Sequence, residues 1–160
     1  MRTLILGVFG SQGSENLVGV EVARGVHAVL SDPDVDIIET SSCGVDLIEI
    51  VAGYAKVVVV DCVRTGEGDV AELKRLGLDD AELVARRASS GGVECRLRVD
   101  RERSGARPMP SEISIYAIEL DSGEATENEI AEAARGAVPR LVAQIAWEEF
   151  GAGQPDADWA

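Results

Sequence analysis

The residues able to do chemistry in this sequence follow its apolar runs. The first run, "RTLIL", leads into "GVFGSQGSEN" (7–16), with glycines at Gly7, Gly10 and Gly13 and with Glu15 and Asn16 at its end. A glycine turn between a strand and a helix can cradle a phosphate, shape a metal-recognition loop, or simply turn the chain. A later run of four valines (57–60) ends on Asp61, the first charge that run reaches. A carboxylate in that position serves as a metal ligand, as a general base, or as a cap for a neighbouring loop. Between the two, "ETSSCGVD" (39–46) offers Glu39, Ser41, Ser42 and Asp46.

These groups need elements to hold them together. Residues 2–8 read as a buried strand, and residues from about 15 to 30 as a helix. Val18, Val22, Val26 and Val29 fall on one face of that helix, with Ser14 as its cap. "SDPD" (31–34) is a turn, "VDIIE" (35–39) a second strand, and 44–53 a short helix. "KVVVVDCV" (56–63) has the unbroken apolar character of a parallel strand covered on both faces. The order β-α-β-α-β predicts an open, mostly parallel sheet wrapped by helices. In such a sheet ligands bind at the carboxyl ends of the strands, where the loops at 7–16, 39–46 and 61–69 meet.

Further along, "TGEGD" (65–69) reads as a turn and 70–74 as a short strand. Residues 79–88 read as a helix, 93–99 as a half-exposed strand, and 112–120 as a strand. Thr126 and Glu129 form a capping box for a last helix, whose stripe is Ile130, Ala134, Val138, Leu141 and Ile145 and which Pro139 is expected to kink. The expected architecture is a single α/β domain over residues 1–150. It is a three-layer α/β/α arrangement with a mostly parallel central sheet and helices on both faces, followed by a loose tail at 151–160.

Composition narrows the partners. The net charge is −14, which disfavours nucleic acid and anionic membrane surfaces, because phosphate contacts need Lys and Arg. No apolar run is long enough to cross a bilayer. The three cysteines, Cys43, Cys62 and Cys95, are widely spaced with no CxxC, so reduced thiols and a cytoplasmic location are expected. Arg96, Arg98, Arg101, Arg103 and Arg107 form the one basic cluster in this acidic chain, a solvated edge or a seat for an acidic partner segment. A nucleotide-binding reading of the glycine turn would let Glu39 accept a ribose hydroxyl. Against it, no Gly-Lys-Ser/Thr follows the turn, and 160 residues leave little room for a dehydrogenase's substrate domain.

Taken in order, five stretches resemble the hydrogenase maturation proteases, α/β endopeptidases that trim a C-terminal extension from the large subunit of nickel–iron hydrogenase. They are "LILGVFGSQGSENLVGVEV", "ETSSCGVDL", "VVVVDCV", "GEGDV" and "EAARGAVPRLVAQI". In the first, Glu15 and Asn16 occupy the family's acidic pair and Gly19 its later glycine; in the second, Ser42 and Gly44 are in register. The resemblance implies an endopeptidase that recognises nickel already placed in the hydrogenase large-subunit precursor, the nickel being substrate-borne, with no other cofactor. It implies Asp61, Glu15 and Asn16 as metal ligands and Ser42, Gly44 and Gly10 as substrate-binding residues. It also implies a histidine near 89–92, where this chain has Ser-Ser-Gly-Gly; its one histidine is His27. A cysteine thiolate is a candidate replacement donor. The alternative is a non-catalytic relative that binds a hydrogenase subunit or another protein, and a nucleotide-binding module stands third.

Overall fold

A computed structural model describes residues 1–9, 17–41, 50–66, 68–76, 108–120 and 125–153. The elements are β1 (Thr3–Phe9), α1 (Val18–Leu30), β2 (Val35–Ser41), β3 (Lys56–Val63), β4 (Leu73–Leu76), β5 (Glu112–Glu119) and α2 (Glu127–Phe150). Five strands form one sheet in the order β2-β1-β3-β5-β4. All neighbours are parallel except β4, which runs antiparallel to β5 at the edge. This is the mostly parallel α/β fold expected.

Side chains alternate across the sheet and sort the core into two halves. On one face Ile5, Val58, Val60, Tyr116 and Ile118 pack against Val22 and Val26 of α1 and Leu141 and Ile145 of α2. On the other face Leu4, Leu6, Val8, Val57, Val59 and Ile115 pack with Val51, Tyr54 and Met109. Leu4 and Val57 are wholly buried there, so this second face is covered as well. Two-sided burial explains why β3 is an unbroken valine run and not an alternating one.

Helix α1 lies unusually close to the sheet, and two glycines allow it. A Cβ on Gly7 of β1 would meet the Ala23 Cβ at 3.0 Å and the Val20 Cα at 3.1 Å. A Cβ on Gly19 of α1 would meet the carbonyl oxygens of Val8 at 3.1 Å and Val60 at 3.2 Å. Leu17 holds the cap position without a side-chain capping bond, and Ser14 lies outside the described residues. Val29 departs from the expected stripe: it is 56% exposed, in the last turn, while Ala23 between the buried valines is fully covered. Helical periodicity describes a face, but only the length of the neighbouring layer decides how much of that face is covered.

Helix α2 begins as its sequence predicts. Thr126 Oγ1 accepts from the Glu129 amide at 3.3 Å, and the Glu129 carboxylate accepts from the Thr126 amide at 2.8 Å. Thr126→Ala should cost about 1 kcal/mol, read as a fall in thermal midpoint of about 3 °C; an unchanged midpoint would show the box to be idle. Pro139, where a kink is expected, lies inside the helix, which runs from Glu127 to Phe150. Its last turn carries Glu149, whose side chain is 1% exposed. Burial alone would raise its carboxyl, but bonds from Tyr116, Lys56 and Ser114 outweigh that and lower it. Lys56 Nζ stands 3.0 Å away, Arg75 Nε 3.1 Å and the Tyr116 hydroxyl 2.7 Å. These groups tie α2 to β3, β4 and β5 at the end of β3 remote from Asp61.

The short strand expected at 70–74 forms three residues later, as β4, because it pairs in register with β5 from Leu73↔Ile118 to Leu76↔Ile115. Of the helix expected at 44–53, the described part is its end at Ile50–Val51. The helix expected at 79–88, the strand at 93–99, the arginine cluster and the end of the tail lie outside the described residues.

Candidate functional site

Strand β1 continues to β2 on one side of it and is flanked by β3 on the other. The order of the sheet therefore reverses between β1 and β3, and a crevice opens there at the carboxyl ends. Asp61 stands at this point. It follows Val60, which pairs with Gly7 of β1, and it pairs with Ala117 of β5 on its other side. The first turn of α1 lies behind its backbone: a Cβ added at Gly19 would come within 3.5 Å of the Asp61 Cα.

Alternation fixes where the side chain goes. Val57 and Val59 belong to the second face, so Asp61 points there too, away from α1 and α2. Its Oδ1 accepts from the Cys62 amide at 2.7 Å. Among the described residues this is its one hydrogen bond, and no cation stands beside it. Burial pushes its carboxyl up to about 7, against the smaller opposing effect of that bond. A desolvated carboxylate with an open oxygen can act near neutral pH as a base or as a ligand for a hard or borderline cation.

Cys62 was a candidate third donor, and the strand excludes it from joining Asp61. Being one residue on, it packs with the core beneath α1 and α2, on the opposite face of the sheet. Glu39 is also occupied: Arg24 of α1 grips its carboxylate through both Nε and a terminal nitrogen, the latter at 2.8 Å. That pairing removes the acceptor which a ribose would need. Gly10, Glu15, Asn16, Ser42 and Gly44, with Cys43 and Cys95, lie outside the described residues. Among the described residues no group of three or more His, Cys, Asp or Glu side chains could hold a metal ion.

The structure adds one residue that the sequence reading passed over. Glu119, the last residue of β5, is completely buried and bonded to Thr65, just past Asp61's strand. In the sequence it looked like the polar end of a strand, with no signal to separate it from a solvated one. Nearby, Ala71 adopts a left-handed backbone, φ 67°, although it is not glycine. Its amide donates to the Glu119 carbonyl at 2.7 Å and its carbonyl accepts from Arg140 of α2 at 2.9 Å. A β-branched side chain is strained in that region, so Ala71→Val should cost about 2 kcal/mol or more. Urea denaturation reads it, and a variant as stable as the parent would mean the conformation is not held.

The fold is that of a mostly parallel α/β protein, and Asp61 stands at the switch point where such sheets commonly bind their ligands. The chain belongs to the hydrogenase maturation protease family, whose model matches residues 20–148. Among solved structures it is similar to the hydrogenase maturating endopeptidase HybD from Escherichia coli, at 16% identity over 99% of both chains with a TM-score of 0.60. It is also similar to the hydrogenase 2 maturation peptidase from a Thaumarchaeota archaeon, at 21% identity over 94% of this chain and 99% of that one with a TM-score of 0.53. A hydrogenase 3 maturation protease aligns at 17% identity over 88% and 89% of the two chains, with a TM-score of 0.55. No curated protein matches the sequence.

Proposed function

We propose that this protein is a hydrogenase maturation endopeptidase. It recognises nickel carried by the large-subunit precursor of a nickel–iron hydrogenase and removes the precursor's C-terminal extension. Family membership supports the reaction class. The observation that carries the site is Asp61, a desolvated carboxylate at the switch point with one oxygen free of described partners. An incoming cation would be favoured there, because it offsets a charge that the part-buried setting of Asp61 disfavours.

In this reading the nickel arrives with the substrate, and a metal so placed polarises a peptide carbonyl or a water beside it. Asp61 holds the precursor through that ion, with Glu15 and Asn16 of the first loop as further donors and Gly10, Ser42 and Gly44 lining the peptide. Asn16 brings a neutral carbonyl oxygen where a carboxylate would bind more strongly. The partner is the precursor, met in the cytoplasm. Among the described residues no helix is long and apolar enough to cross a membrane.

The test is incubation with nickel-loaded and nickel-free precursor, followed by mass analysis of the large subunit. Loss of the extension from the loaded form alone is the expected result. Intact loaded precursor would sink the proteolytic reading. If it still bound, the non-catalytic alternative would replace that reading; Asn16 and the Ser-Ser-Gly-Gly at 89–92 are the sequence features that favour it.

A further inference from the structure

Glu119 is not used by the chemistry above, yet it is placed beside it. On β5, Ile113 and Ile115 face the second side of the sheet, and Glu119 shares their parity. Asp61 faces the same side from β3. In the β3–β5 register Asp61 pairs with Ala117 and Val63 with Glu119, so the two carboxylates are diagonal neighbours on one face at the carboxyl end.

The Glu119 carboxylate accepts from the Thr65 amide at 2.9 Å and from the Thr65 hydroxyl. Thr65, two residues past β3, is therefore held at the carboxyl end of β5 by a side chain on the face that Asp61 shares. The far end of this segment is tied down too. The Glu119 amide donates to the Glu72 carbonyl at 3.0 Å, and Ala71 is held between Glu119 and Arg140 in its left-handed conformation. Residues 64–66 and 68–72 are thus anchored at both ends on one strand terminus.

A wholly buried carboxylate is a costly way to fill space. What it adds over an apolar residue is direction: its two oxygens take the two donors of a single residue and set both its backbone and its side chain. A backbone held at both ends of the segment, and left-handed at Ala71 on the far side of β5 from Asp61, fits a surface that has to be in place before its ligand arrives.

We propose that Glu119 is a positioning residue: through Thr65 it holds the segment after β3 as a preformed wall beside Asp61, on the β5 side of the crevice, against which the precursor's C-terminal peptide binds. This rests on the proteolytic reading. A wall that opens freely lowers apparent affinity by the fraction of time it is shaped for the ligand. The effect therefore falls on KM and spares the chemical step.

The experiment uses the full chain, nickel-loaded precursor, and three variants: Thr65→Val, Thr65→Ser and Glu119→Gln. Steady-state cleavage and amide hydrogen exchange are measured on each. If the wall is shaped about one tenth of the time in Thr65→Val, its KM rises about ten-fold with kcat nearly unchanged. Exchange at the Thr65 and Gly66 amides quickens in the same variant. Thr65→Ser, which keeps the hydroxyl, behaves as the parent, and Glu119→Gln lies between. An unchanged KM in Thr65→Val overturns the proposal, whether or not exchange quickens. So does a loss confined to kcat, or a raised KM without faster exchange. Parent protein that neither binds nor cuts the precursor overturns the functional reading and this inference with it. Parent that binds, with Thr65→Val binding equally well, overturns the inference alone.

Discussion

Asp61→Asn is expected to stop cleavage of the precursor and, at the same time, to make the folded chain more stable above neutral pH. The two effects have one cause. Burial raises the Asp61 carboxyl from 3.8 to about 7, so the folded state holds its proton more tightly than the unfolded chain does. Its contribution to stability is then most favourable below about pH 4 and is lost as the pH rises toward 7, beyond which it levels off. Asparagine has nearly the same shape, keeps an oxygen for the Cys62 amide, and carries no charge to desolvate. At pH 8 the variant should gain about 2–4 kcal/mol; at pH 4 it should match the parent. Urea denaturation at the two pH values measures this, and equal stabilities at pH 8 would show that the carboxylate is not desolvated. The charge that costs stability is the one a cation would bind. Losing it should remove several kcal/mol of transition-state stabilisation, a fall of about 10³-fold or more in kcat/KM. Full cleavage by Asp61→Asn would remove Asp61 from the site.

The second large effect is expected at Gly19. A methyl group there would press on the carbonyl oxygens of Val8 and Val60, at 3.1 and 3.2 Å. Neither can retreat easily, since both belong to central strands bonded to neighbours and buried on both faces. Helix α1 would have to lift. Gly19→Ala should cost about 1–3 kcal/mol, and Gly19→Val more, because its branches meet the same two oxygens. The Asp61 backbone, 3.5 Å from the same position, would lose the surface that braces it. Cleavage by Gly19→Ala should therefore fall further than its unfolded fraction explains, under conditions where circular dichroism shows it folded. A variant of parental stability would mean that α1 rides higher on the sheet than described. Full activity despite lowered stability would separate the helix from the site.

Both predictions concern residues that the sequence singled out, but for different reasons. Asp61 was legible because a charge closing a run of valines breaks a simple pattern. Gly19 was legible only as a match to a family glycine. Its work, admitting a helix onto two strand carbonyls, depends on atoms brought together from three elements. Glu119 was not legible at all. At the end of "EISIYAIE" it reads like any polar strand terminus, and only the folded chain shows it buried and bonded to Thr65 from the segment after β3.

The sequence by itself determined the class of fold, the order of its elements, the cap of α2 and Asp61 at the mouth of the sheet. Those follow from local rules: periodicity, capping chemistry, and the continuous apolar runs of strands buried on both faces. Tertiary structure alone decided the rest. It set the face into which Asp61 points, turned Cys62 away to the opposite side, spent Glu39 on Arg24, and left Val29 uncovered. It also placed a second carboxylate beside the first. These outcomes depend on strand register and on which layers meet, and residues far apart in the chain fix both together.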